Sequence, residues 1–146
     1  NVEDFSVRWA QIAEEDHRAK AQLMAHGLRG HLVPMKIEED DEKFTFEMQP
    51  CGSGGRLVLN GYYDPPHSFQ KISKAQPMTY GQDDFPIYCT HCAILGILGI
   101  EFGEAPLFFI DASDKPGEKP CKIYLYKDAG AIPDALYAKL GKKKGG

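Results

Sequence analysis

Four cysteines constrain this chain more than any other feature of its sequence. Two of them form the run Cys89-Thr90-His91-Cys92, and Cys51 and Cys121 stand alone. Two thiols separated by two residues reach one ion from a single turn of backbone, and zinc takes four thiolate or imidazole ligands tetrahedrally. Cys51 follows a strand-like run and opens a glycine turn, and Cys121 begins a strand-like run just after Pro120. All four are therefore expected at element ends, where side chains from distant segments converge. In a reducing cytosol such a set reads as metal-binding or catalytic, whereas two disulfides would require secretion. Iron also suits thiolates, but a rubredoxin-like centre would show two such pairs, so zinc is the expected ion. A catalytic thiol or redox pair, or four unrelated core cysteines, are the competing readings.

The number of ligands decides the chemistry. Cys51, Cys89, Cys92 and Cys121 together would close the coordination shell, as in structural sites. Three of them, or two with His91, would leave a position for water, whose pKa a metal lowers to about 7. His91 is then a ligand or a proton shuttle. The turn Cys51-Gly52-Ser53-Gly54-Gly55-Arg56 has two readings. Its glycines are a bulge that lets Cys51 reach the metal, or they bring backbone N–H groups to an anion that Arg56 grips in a bidentate fork. A thiolate held in that turn would also serve as a nucleophile.

Composition narrows the partners. The 146 residues suit one domain, and 42% hydrophobic with 26% charged content is ordinary for a globular chain. A net charge of −4 without a basic stripe argues against nucleic acid. The run Lys142-Lys143-Lys144 beside two glycines reads as a solvated tail. The longest apolar stretch, residues 93–100, is far short of the ~20 residues a membrane span needs. No signal-peptide pattern is visible at the start of the sequence. The expected setting is the cytoplasm, with a small molecule or a partner subunit as the ligand.

Periodicity predicts an α+β fold in one domain, with an antiparallel sheet, flanking helices and a long loop tied to the cysteine site. Phe5, Trp9, Ile12, Ala13, Leu23 and Met24 give a helix within residues 1–30, capped by Asp4 or Ser6 and stopped at Gly27 and Gly30. Residues 38–42 read as an exposed acidic turn that lacks the spacing of a calcium loop. Residues 43–49 alternate as a half-buried strand, 56–59 suggest a short strand, and Asn60-Gly61 a turn. Residues 62–88 form a long loop rich in proline and tyrosine, of a length that is functional or tied down. Tyr62, Tyr63, Tyr80 and Tyr88 line an aromatic pocket near the metal or pack the loop. His67 reads as a surface histidine, with a ligand or shuttle role as the alternative. Residues 89–98 read as a helix, 107–110 as a buried strand and 121–127 as a last strand antiparallel to it. Pro133 opens a final helix over residues 132–141 that Gly141 ends. The core thus spans 43–127. Glu14-x-x-His17 is one di-iron motif where two are needed, and reads as helix surface.

The stretch from Phe44 to Lys127 resembles the L-2-amino-thiazoline-4-carboxylic acid hydrolase-like family, and more remotely the 4-vinyl-reductase domain. The resemblance rests on the strand leading to Pro50-Cys51, the cysteine-bearing helix, the strand running to Asp111, and Pro120-Cys121-Lys122-Ile123-Tyr124. It implies clustered cysteines in an α+β fold and a hydrolase opening a small ring, amide or amidine C–N bond of a carboxylate-bearing substrate. The Cys-Gly-Ser-Gly-Gly-Arg turn and the Cys-Thr-His-Cys motif set this chain apart as a distinct branch. The alternative is a closed four-cysteine zinc module serving as a subunit or small-molecule-binding partner in a larger assembly.

Overall fold

The structure is a computed structural model that describes residues 7–13, 15–102 and 108–145. It is α+β. The chain divides into two compact units, Asn1–Leu32 and Val33–Gly146.

In the first unit, residues 7–10 are helical and a turn follows. Helix α1 (His17–Leu28) then starts afresh, capped by Asp16, whose side chain accepts from Ala19 N at 2.9 Å. The helical spacing from Trp9 onward therefore belongs to two pieces. A capping Asp satisfies one of the N–H groups a new helix leaves open, which makes this restart favourable. Gly27 lies inside α1, and a 3₁₀ turn over Arg29–His31 ends it. Lys20 Nζ stands 5.8 Å from the Trp9 ring centre. The suggested caps Asp4 and Ser6, together with Phe5 and Glu14, lie outside the described residues.

The second unit is built on a four-stranded antiparallel sheet whose strands lie in the order Met35–Glu39, Lys43–Met48, Cys121–Tyr126, Phe109–Asp111. Strands β1 (Met35–Glu39) and β2 (Lys43–Met48) form a hairpin around the acidic turn. Asp40 closes that turn by accepting from Glu42 N, Lys43 N and Lys43 Nζ, each at 2.9 Å. These bonds, the lysine's first, hold the Asp40 carboxyl down at about 2. The alternation of β2 is realised in full: Phe44, Phe46 and Met48 are buried, and Lys43, Thr45 and Glu47 are not. Strand β6 (Cys121–Tyr126) pairs with β2, setting Phe46 against Ile123 and Met48 against Cys121. Strand β5 (Phe109–Asp111) pairs with β6, as the late-strand pattern predicted.

Residues opposite one another across the ladder share a face. One face therefore carries Phe46 and Ile123. The other carries Tyr124 and Phe109, and beyond them Glu47, Lys122 and Asp111. Against Phe109 and Tyr124 packs a cluster containing Tyr80, Phe85, Ala93, Ile132, Leu136, Tyr137 and Leu140. Ala93 belongs to helix α3 (Thr90–Phe102), and Leu136 and Tyr137 to helix α4 (Asp134–Lys139), which follows Pro133 as its cap. Helix α3 runs through Gly96 and Gly99. At Gly96 a Cβ would stand 2.8 Å from Leu140 Cδ1, so the glycine lets the two segments close up.

Residues 56–59, expected as a strand, lie in the short helix α2 (Gly54–Leu59). Leu57-Val58-Leu59 is β-prone, but the turn starting at Cys51 sets helical bonds first. Arg56 N donates to Cys51 O at 2.9 Å and Leu57 N to Ser53 O at 3.1 Å. Tertiary context overrides propensity here. The long tyrosine-rich segment is tied down from within. It contains the two-stranded ribbon of β3 (Lys71–Ile72) and β4 (Phe85–Pro86). Buried Thr79 accepts from Gln76 N and donates to Gln82 O at 2.7 Å. Among the described residues no helix is long and apolar enough to cross a membrane.

Candidate functional site

All four cysteines are half-buried and unbridged. The fold brings them from three places. Cys51 leaves β2 three residues after Met48, and Met48 pairs with Cys121 at the start of β6, so these two cysteines stand at one end of the sheet. Cys89 ends a 3₁₀ turn over Ile87–Cys89, and Cys92 lies in the first turn of α3. Gly54 makes the approach possible, for a Cβ on it would stand 2.4 Å from Cys89 Sγ. Gly55 is also close-packed but less tightly, its Cβ position 3.2 Å from Cys51 Cβ. Gly52, Gly54 and Gly55 are not among the residues with positive φ, so the turn lacks the left-handed step of an anion nest. These glycines serve close packing around the cysteines.

The thiols are electrostatic neighbours. Burial first, then Cys121 and Cys51, push Cys89 up to about 12. Burial, then Cys51, Cys89 and Cys121, push Cys92 up to about 12. Cys121 is raised by burial and Cys51, against the lowering effect of the Ser113 N–H, which donates to its Sγ at 3.5 Å. Cys89, Cys92 and Cys121 therefore stand as neutral thiols at neutral pH, which argues against any of these three as an unaided nucleophile. Each faces a different neighbour. Cys51 Sγ is 3.3 Å from Ser53 Oγ, and Cys92 Sγ is 3.3 Å from His91 Nε2. Among the described residues no three His, Cys, Asp or Glu side chains already stand as a set able to hold a metal ion. The mutual shifts and this geometry describe different things. The thiols influence one another through a region of low dielectric, yet among the described residues they are not gathered as a ligand set.

His91 Nδ1 lies 2.6 Å from Tyr88 O, and its ring meets Tyr88 edge-on at 5.1 Å. A carbonyl only accepts, so in the neutral imidazole Nδ1 carries the proton and Nε2 presents its lone pair to the Cys92 thiol. Arg56 is exposed on α2. His67 stacks on Tyr62 at 4.7 Å on the surface of the loop.

Beside the cysteines opens a cleft of about 610 Å³. Ala112, Ser113 and Pro120, which flank Cys121 in space or sequence, form one wall, and Glu47, Asp111, Lys122, Tyr124 and Lys139 line the sheet side. Asp111 pairs with Lys139 at 2.5 Å and accepts from Tyr124 OH at 3.4 Å. Burial and Asp111 push the Tyr124 phenol up to about 12. Glu47 faces Lys122 at 3.6 Å. Arg56 and His91 do not line this cleft. The sequence reading missed its charged residues because Glu47, Lys122 and Asp111 are outward positions of ordinary strands. Only their cross-strand register brings them together.

Of the four tyrosines expected near the site, Tyr80 lies where cluster and cleft meet. It lines the cleft, packs in the core with Cys89 and Cys92, and is only 7% exposed. Its hydroxyl is buried without a hydrogen-bond partner among the described residues.

No family model, curated protein or solved structure matches the chain.

Proposed function

We propose that three of Cys51, Cys89, Cys92 and Cys121 hold one zinc ion whose fourth position stays open to water, and that the chain hydrolyses a small amide or amidine-type C–N bond in a carboxylate-bearing molecule bound in the neighbouring cleft. One observation carries the reading. Four thiols from three segments share a buried region whose edge is an open polar cleft. A closed structural centre has no use for the cleft. Soft thiolates suit zinc, and rotation about each cysteine's single free side-chain torsion redirects its sulfur without moving backbone. Bound zinc would supply Lewis acidity and a water of lowered pKa. His91 Nε2 faces Cys92 Sγ and is placed to take that thiol's proton as it becomes a ligand. Lys122 and Lys139 in the cleft take over the carboxylate-binding role first assigned to Arg56.

The test is zinc content per chain, with reactive thiols counted before and after chelation. Ammonia release from carboxylate-bearing amidines and amides is then compared in zinc-loaded and stripped protein. One zinc with three thiols freed by the chelator, and hydrolysis that disappears with the metal, is the expected result. Hydrolysis that survives full zinc removal sinks the hydrolytic assignment. A second reading, the closed four-cysteine module acting as a subunit or binding partner, is favoured by the mutual influence of all four thiols. Four freed thiols and no turnover would select it.

A further inference from the structure

We infer that the exposed edge of strand β1 pairs with the same strand of a second copy of this chain, antiparallel and two-fold about Ile37, so that two four-stranded sheets become one continuous sheet. This pairing needs nothing from the cysteines. Strand β1 lies at one end of the sheet order, and among the described residues no strand pairs with its outer side. Asp40 N donates to Lys43 O at 3.0 Å and Gln49 N to Pro34 O at 3.5 Å, which extends the β1–β2 register at both ends. In an antiparallel ladder the bonded positions alternate. Lys36 and Glu38 therefore bond to β2, and the N–H and C=O groups of Met35 and Ile37 point outward. Such an edge is a template for another strand. Ile37 is its apolar centre, 47% exposed although it stands opposite the wholly buried Phe46.

The charges select the partner. On one face of the sheet Lys36 stands opposite Glu47, Glu47 opposite Lys122, and Lys122 opposite Asp111. The sign alternates strand by strand, and Lys122 Nζ is 3.6 Å from Glu47 Oε2. At the β1 edge this row ends on a cation, so the next strand should present an anion there. Pairing about Ile37 sets Glu38 of the second copy opposite Lys36, and by symmetry Lys36 of the second copy opposite Glu38. Both pairs fall at the closer, non-hydrogen-bonded positions, where opposite charges are favourable. Pairing centred on Lys36 or on Glu38 would set like charges face to face. Charged edge strands generally resist pairing, and here the same charges leave one register open. Lys36 and Glu38 already meet within one chain at 2.8 Å, but with side chains 64% and 58% exposed. Exposed pairs contribute little, so these charges re-form between copies at small cost. On the opposite face Ile37 meets Ile37 of the second copy across the two-fold, which removes both from water. A two-fold contact of this kind closes at the dimer.

The experiment is sedimentation equilibrium of the full chain under reducing conditions, from about 1 μM to about 1 mM, the span of weak association. The parent is compared with Glu38→Lys, with Lys36→Glu, with the double variant, and with a mixture of the two single variants. The substituted side chains are exposed, so all should fold, which far-UV circular dichroism checks. Expected is a monomer–dimer equilibrium in the parent and dimerisation at least about 10-fold weaker in each single variant. The double variant should regain the dimer, because the charges are exchanged within each facing pair. The mixture should regain it too, since the two lysines of one chain then face the two glutamates of the other. A parent that stays monomeric throughout overturns the pairing. A dimer indifferent to both single substitutions overturns it as well, because the copies would then meet through another face. Single variants that dissociate, with no recovery in the double variant or the mixture, also overturn it, because the two charges would then not face each other.

Discussion

In the sheet, burial follows position. Phe44, Phe46 and Met48 are buried because they alternate along β2, and the register with β6 sets Phe44 against Leu125 and Phe46 against Ile123. Between Pro50 and Cys92, burial follows from single contacts. Gly54 is buried because Cys89 lies on it, Thr79 because its hydroxyl bridges Gln76 and Gln82, and Tyr80 because it wedges against Phe85. The first region spreads its specification over many equivalent residues, and the second concentrates it in a few. The sheet should therefore fail through lost volume, and the cysteine region through lost geometry.

The largest effect expected is in the sheet. Phe46 is wholly inaccessible to solvent. Phe46→Ala should cost about 3–5 kcal/mol, as large-to-small changes at such sites do. Urea unfolding measures it. The folded fraction should still bind metal in the parent's stoichiometry. Loss of metal from folded Phe46→Ala protein would show that the two regions are not separable in this way.

Gly54→Ala should invert that pattern. The added Cβ would stand 2.4 Å from Cys89 Sγ, so the sulfur must turn away. Overpacking costs about 1–3 kcal/mol, offset by up to about 1 kcal/mol from replacing glycine in a helix. The net loss of stability is thus smaller than for Phe46→Ala, while cobalt affinity should fall far more. A variant that binds cobalt as the parent does would mean that Cys89 is not a ligand.

The same contrast explains what the sequence made legible. Strands β2 and β6 and helix α4 follow from alternation, proline and glycine, which are local signals. Strand β1 went unread, since Met35-Lys36-Ile37-Glu38-Glu39 alternates but ends in acids that looked like pure turn. Helix α2 was mistaken for a strand because its start is dictated by the Cys51 turn rather than by its own β-prone residues. Of the candidate site, the four cysteines were legible from residue type. The cleft was not, because Glu47, Asp111 and Lys122 belong together only through cross-strand register, and Lys139 arrives from α4. Tyr80 was visible only as one tyrosine among several.

Alkaline pH should separate the regions again. Cys89 and Cys92 sit at about 12 in the fold against 9.0 in an ordinary setting, so the folded state holds protons that the unfolded chain gives up first. Their contribution is complete below about pH 9 and is lost as pH climbs from there toward 12. The urea midpoint of metal-free, reduced protein should accordingly fall between about pH 9 and about pH 10.5, and less steeply in Cys89→Ser, where one such group is gone. Metal affinity should move the opposite way, rising with pH, because binding displaces the thiol protons. A midpoint indifferent to pH in this range would mean that the thiols are not held protonated by burial.

The smallest effect tests whether the sheet insulates the site. Lys127 follows β6 at the end of the ladder away from Cys121. Its Nζ meets Glu39 Oε1 at 3.1 Å and Asp40 O at 2.6 Å, and lies 5.3 Å from the Phe44 ring centre. Each contact is partly exposed, and exposed ion pairs contribute about 0–1 kcal/mol, with an exposed cation–ring contact adding about 0.5–1 kcal/mol. Lys127→Ala should therefore cost roughly 1 kcal/mol by urea unfolding and leave cobalt affinity unchanged. Between Lys127 and Cys121 the strand is paired with β2 along its length and with β5 from Tyr124 to Lys122, so a loosening at its far end meets a stretch held on both sides before it reaches the thiols. A change in cobalt affinity would instead require β6 to shift as a body, and the sheet would then be part of the site rather than its frame.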